Sequence, residues 1–156
     1  MKKILLVAVL MGVFIFSVKA QDYKTSIGVR GGFSNGLTVK HFTGSSTAIE
    51  GILSSRWRGF KATALFEKHG RAISSSKLNY YYGLGGHIGV WESKYTPWGR
   101  RGTSYTVIGV DGILGLEYTF DEIPFNISLD WKPELNLFGY NSFWADEAAL
   151  SVWFIF

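Results

Sequence analysis

A comb of alternating apolar and polar residues that recurs eight times, segments of ten or more residues, and the aromatic ending "LSVWFIF" together predict the fold. They point to an all-β chain, an eight-stranded antiparallel up-and-down transmembrane β-barrel. Successive side chains of a strand point to opposite faces, so a period of two marks a wall with one apolar and one polar side. After residue 20 every long apolar stretch is broken by charge, as Asp111 and Glu117 break "YTVIGVDGILGLEYTF".

Residues 1–20 are set apart first. Lys2 and Lys3 precede the apolar run Ile4 to Phe16, and Val18-Lys19-Ala20 ends in small residues, the pattern of a secretory signal peptide cleaved after Ala20. That run is shorter than the roughly 20 residues a spanning helix needs. Residues 21–156 then form one domain. Three of the sixteen Lys and Arg residues leave with the leader, so thirteen bases face twelve acids. The mature chain is near neutral, and the basic pI of the whole sequence gives no ground for nucleic-acid binding. With no cysteine there is neither a disulfide scaffold nor a thiolate metal site.

The eight segments follow in order. Residues 23–33 set Tyr23, Thr25, Ile27, Val29 and Phe33 against Lys24, Ser26, Gly28 and Arg30, and "SNG" turns the chain. Leu37 and Val39 alternate with Thr38 and Lys40 in the second strand, which ends at "TGSST". The third, 48–58, opposes Ile49, Leu53 and Trp57 to Glu50, Ser54, Arg56 and Arg58. Apolar parity switches at Gly59, the signature of a tight turn, and the fourth sets Phe60, Ala62, Ala64 and Phe66 against Lys61, Thr63 and Glu67. The fifth carries Leu78, Tyr80, Tyr82, Leu84, Ile88 and Val90 opposite Asn79, Gly83, Gly85, His87 and Gly89. The sixth, 105–120, opposes Ile108, Val110, Leu114, Leu116, Tyr118 and Phe120 to Asp111, Gly115 and Glu117. After "DEIP" the seventh sets Phe125, Ile127, Leu129, Trp131, Leu135 and Leu137 against Asn126, Ser128, Asp130, Lys132, Glu134 and Asn136. The eighth puts Ala148, Leu150, Val152, Phe154 and Phe156 opposite Glu147, Ala149 and Ser151. Parity does not change between strands one and two, so one long strand bulged at "SNG" is an alternative; an even count keeps both termini at one end, as single-chain bacterial barrels do.

The same alternation suits a soluble calyx, apolar within, or a membrane barrel, apolar without. Strand length, aromatics toward strand ends (Tyr23, Trp57, Phe60, Tyr118, Phe120, Phe125, Trp144, Phe154, Phe156) and glycines gathered on the charged face at 28, 83, 85, 89, 109 and 115 favour the membrane. With both ends in the periplasm, the long connection 93–104 faces outward and "DEIP" inward. The charged face carries seven bases (Lys24, Arg30, Lys40, Arg56, Arg58, Lys61, Lys132) and seven acids (Glu50, Glu67, Asp111, Glu117, Asp130, Glu134, Glu147). Six of those bases lie on strands one to four and five of the acids on strands five to eight, so salt bridges across the lumen are expected. The plain reading is a packed polar plug; a narrow ion path is the alternative.

No catalytic, cofactor or metal site is expected. His41 on the lipid side and Ser55 are some six residues apart along the sheet, about 20 Å, too far for a nucleophile and its base. His69 and His87 are expected nine residues apart, and Asp111 with Glu117 read as ion-pair partners rather than an acid/base pair. In the outer loop, Lys94, Arg100 and Arg101 beside Tyr95 and Trp98 suit lipopolysaccharide phosphates or a protein contact, or are an ordinary solvated loop.

These features resemble the small outer-membrane β-barrel family that includes OmpX and the OmpA transmembrane domain. The resemblance rests on the eight alternating segments, the mixed-charge lumen and "LSVWFIF", similar to the family's C-terminal signal. It implies Leu150, Val152, Phe154 and Phe156 as contacts for the barrel-assembly machinery, outer-membrane lipid and lipopolysaccharide as surroundings, and a closed barrel without a large pore. The expected role is non-enzymatic, in envelope integrity or surface interaction; alternatives are an accessory or assembly component of an envelope or secretion complex, a narrow pore, or a lipid-modifying enzyme. Other protein partners are not specified.

Overall fold

The computed structural model describes residues 24–56, 58–73, 77–92, 104–139 and 142–156. Residues 1–20, expected to be a leader, Tyr23, Trp57 and residues 93–103, with Lys94, Tyr95, Trp98, Arg100 and Arg101, lie outside the described residues. Ten strands are formed: β1 (Thr25–Gly32), β2 (Asn35–Phe42), β3 (Thr47–Arg56), β4 (Gly59–Arg71), β5 (Leu78–Glu92), β6 (Ser104–Thr119), β7 (Phe125–Trp131), β8 (Glu134–Phe138), β9 (Ser142–Trp144) and β10 (Ala148–Ile155). Each pairs antiparallel with its neighbours, and β1 closes on β10 while β10 pairs with β7. Because β7 and β8 both pair with β6, they are one wall strand interrupted at Lys132–Pro133. In the same way β9 and β10 make up the last wall strand. The result is a closed, eight-stranded, up-and-down barrel.

The uncertainty over "SNG" is resolved: Val29 pairs with Leu37 and Ile27 with Val39, so β1 and β2 form a hairpin. Chain entry and exit meet at one end, where the Thr25 N–H donates to the Phe156 carbonyl and the Phe156 N–H to that of Thr25, at 3.2 and 2.9 Å. The connections 43–46 and 120–124 share that end, as do residues 72, 73 and 77.

Parity sorts the side chains as the sequence implies. Val29, Leu53, Leu84, Leu116, Leu129 and Leu150 are exposed on the outer face, Leu84 at 75%. Arg30, Lys40, Glu50, Lys61, Glu67, Asp111, Glu117, Asp130, Lys132, Glu134 and Glu147 are buried. Their pairings show that burial means the lumen. Lys40 on β2 reaches Glu117 on β6, four wall strands away, a contact available only through the middle of the ring. The barrel is thus apolar outside and charged inside.

Two expectations need correction. Arg58 is exposed, because the wall pairs Arg56 with Gly59 and leaves a two-residue turn between them. Its φ of 60° is the left-handed backbone such a turn demands, so it is an exposed turn residue rather than an inward strand residue. Trp144, expected on the outer face, turns inward: it pairs with the inward Glu134 and packs on Trp91, while Phe143 is exposed. The break at 145–147 exchanges inward and outward parity between β9 and β10, as an inserted residue does.

Candidate functional site: the filled lumen

The ion pairs come in three groups. Arg30 makes a two-pronged contact with Asp130, 2.6 Å from Nη1 to Oδ2, and Tyr81 donates to the same carboxylate at 3.2 Å. This guanidinium–carboxylate fork is the geometry arginine is built for.

Toward the end opposite the termini, Lys61 contacts Glu134, Lys132 contacts Asp111 and Glu134, and Arg56 contacts Asp146 and Glu147. His87 joins this group through Asp111 at 2.9 Å and Asn136 at 2.8 Å. The His69–His87 spacing also needs correction: His69 pairs with Tyr81 and His87 with Thr63, six residues apart along β5 rather than nine. More to the point, His87, Asp111 and Glu134 offer ligand atoms within 4.8 Å of one another, an arrangement across β5, β6 and β8 that linear spacing concealed. The Lys132 ammonium bridges the two carboxylates, so the positive charge these acids need is already supplied by the chain.

The third group is centred on Lys40. Its Nζ lies 3.3 Å from Glu50, 3.0 Å from Glu67 and 3.7 Å from Glu117. Tyr81 and Trp153 present their rings to it, with centroids at 4.3 and 4.7 Å. Thr38 donates to Glu50 at 2.6 Å, and His69 Nε2 lies 3.1 Å from Glu67. One ammonium therefore faces three carboxylates.

The sequence reading expected a polar plug and missed its apolar part. Ile52, Leu65, Tyr81 and Ile113 form a buried cluster in the lumen, and Trp153 is only 1% exposed with its indole N–H donating to Ser128 at 2.8 Å. A legible signal existed. Trp153 pairs across the ladder with Gly28, and Tyr81 with Gly115. A Cβ on Gly28 would stand 2.8 Å from the Trp153 ring, and one on Gly115 would meet Tyr81. The inward glycines thus make room for specific inward aromatics, a pairing that also pins register.

The two ends of the lumen differ. Opposite the termini, Trp91 and Trp144 pack edge-to-face, the Arg56 guanidinium lies over Trp144, and Trp91 donates to the Arg56 carbonyl at 3.1 Å. At the chain-terminal end there is an open cavity of about 830 Å³, whose walls include Lys24, Phe42, His69, Arg71, Asn79 and Glu117. Lys77 on the adjoining connection contacts Asp121, whose hydrogen bond raises the lysine pKa above its ordinary value.

His41 remains on the outer face, accepting from or donating to Thr25 Oγ1 at 2.9 Å. Leu150 and Val152 are exposed, while Phe154 is half-buried between Phe125 and Phe156. Compared with models of known protein families and with curated proteins, the chain matches none.

Proposed function

We propose that this chain is an integral protein of a bacterial outer membrane, exported by its cleaved leader, whose filled barrel serves envelope integrity or surface interaction without catalysis. The single observation that carries this reading is the distribution of polarity. A barrel in water hides its apolar side chains, whereas here Val29, Leu84, Leu129 and Leu150 cover the outside and the charges are inside. A hydrocarbon surrounding makes that arrangement favourable, since burying apolar surface is worth about 25 cal/mol per Å².

Lipid and lipopolysaccharide are the partners this exterior suits, and the barrel-assembly machinery is the proposed reader of Leu150, Val152, Phe154 and Phe156. The interior supports a structural role. Trp153, Tyr81, Leu65 and Ile52 occupy the lumen between the two ends, and ion pairs knit opposite walls together.

The decisive experiment is Leu129→Arg. Leu129 is 59% exposed, mid-strand, and flanked by Leu116 and Leu150. An arginine there faces lipid and destabilises insertion by about 2–4 kcal/mol at the midplane. The variant is expected to be depleted from the outer-membrane fraction and to lose heat-modifiable migration on gels. Wild-type behaviour on both counts would overturn the membrane assignment. Two further readouts bear on the absence of chemistry and conduction: lipid A acylation is expected to be unchanged on gene deletion, and planar-bilayer recordings are expected to lack single-channel steps.

A further inference from the structure

The cavity at the chain-terminal end combines charges in an order that the packed plug does not require. Lys24 and Arg71 are exposed at its rim, and neither has an ion-pair partner among the described residues. Its inner wall holds Glu117, which is buried. Behind Glu117 lies the Lys40 group, where one ammonium faces the carboxyl groups of Glu50, Glu67 and Glu117. The rim is therefore positive and the floor negative.

We propose that this vestibule binds a small zwitterion, with a primary ammonium group against the Glu117 floor and an anionic group at the Lys24 and Arg71 rim. A simple anion drawn to the rim is repelled by the floor, and a simple cation meets the reverse. A molecule carrying both charges a few ångströms apart satisfies both fields, because each end approaches its partner closely while its own opposite charge stays distant. The wall chemistry fits. Phe42 and His69 supply aromatic faces near the floor, tilted against each other at 4.8 Å, and such faces attract ammonium groups. Asn79, Ser45 and Ser46 also line the cavity, and side chains of these types can satisfy anionic oxygens. A volume of about 830 Å³ lies within the usual range for small-molecule sites. Amino acids and ethanolamine phosphates share this chemistry, the latter either as free solutes or as lipid headgroups.

The test uses the full-length chain, processed in cells and purified in maltoside micelles, with O-phosphoethanolamine titrated by calorimetry. Saturable binding is expected, at least about tenfold tighter than inorganic phosphate alone or ethylamine alone, the effect of losing one charged contact. Arg71→Ala is exposed and outside the lumen ion pairs, so the barrel folds; it should weaken binding by about tenfold while leaving ethylamine binding unchanged. Glu117→Gln should spare phosphate binding and remove the preference for the zwitterion, and Lys24→Ala supplies a second rim variant if Glu117→Gln does not fold. Absence of saturable binding, phosphate binding as tightly as phosphoethanolamine, or full affinity in both rim variants would overturn the proposal. Repeating the titration in phosphatidylethanolamine and phosphatidylglycerol nanodiscs separates the sources. Competition confined to the former identifies a lipid headgroup; equal binding in both identifies a free solute; either result upholds the site.

Discussion

The two halves of the lumen solve the same problem differently. In the half away from the termini, Arg56, Lys61 and Lys132 answer the buried acids Asp111, Glu134 and Glu147, and the indoles of Trp91 and Trp144 pack edge-to-face. In the other half Lys40 stands alone among Glu50, Glu67 and Glu117, close to an open cavity. Taking a charge out of water is tolerable where it is paired and hydrogen-bonded. The balanced half meets that condition with side chains of the barrel and can be dry. In the other half the three acids share one buried ammonium and lie near water. The comparison separates a region built to hold shape from one whose charge is left incomplete.

The largest expected effect follows from that sharing. Lys40→Met removes the ammonium that contacts Glu50, Glu67 and Glu117 and leaves three carboxyl groups facing one another, which should destabilise the barrel by about 3–5 kcal/mol. Lys61→Met should cost less, since Glu134 keeps its contact with Lys132. Denaturant titration of both variants in lipid vesicles, read by tryptophan fluorescence, measures the difference. Equal losses would mean that the halves are not electrostatically distinct. Adding Glu67→Gln to Lys40→Met should recover part of the stability, a recovery that a purely steric role for Lys40 would not produce.

A smaller effect is expected from the aromatic packing that divides the halves. Gly28→Ala drives a methyl group against the Trp153 ring and should destabilise by about 1–3 kcal/mol, the usual range for overpacking. Gly51→Ala is the control, because nothing lies within 4 Å of a Cβ at that position. If the two substitutions behave alike in the same denaturant titration, the glycine–tryptophan pairing is not what sets the packing.

How much of this was legible depends on the range of the information needed. Wall strands, their facing and the tight turn before Gly59 follow from period-two patterning and parity, which are local. The segregation of bases and acids along the chain foreshadowed cross-lumen pairs such as Arg30–Asp130 and Lys61–Glu134. What escaped depends on shear and on local breaks. Trp144 looked outward because alternation was extended through 145–147, where the inserted residue reverses it. Arg58 looked inward because its parity matched Arg56, although a two-residue turn removes it from the strand. His87, Asp111 and Glu134 come together only when three strands are set in register. Tyr81 in "YYY" and Trp153 in "VWF" were hidden by apolar neighbours; their cross-strand glycines are the clue that pairing supplies.

The smallest effect tests the Arg56 contacts at the end away from the termini. Arg56 reaches Asp146, which is over half exposed, at 2.9 Å, and more weakly Glu147 at 3.6 Å, while its guanidinium lies over Trp144. Water screens the Asp146 contact, so Asp146→Asn should change stability by at most about 0–1 kcal/mol. Arg56→Gln should cost more than Asp146→Asn, because it also strips the buried Glu147 carboxylate of one of its cations and removes the stack on Trp144. Ser34, which donates to Glu147, and Lys61 at 3.9 Å limit that loss. The ordering of these two variants in denaturant titrations is the informative quantity. If Asp146→Asn proves as damaging as Arg56→Gln, that end rests on the exposed pair, and the contrast between a balanced half and an unbalanced one must be redrawn.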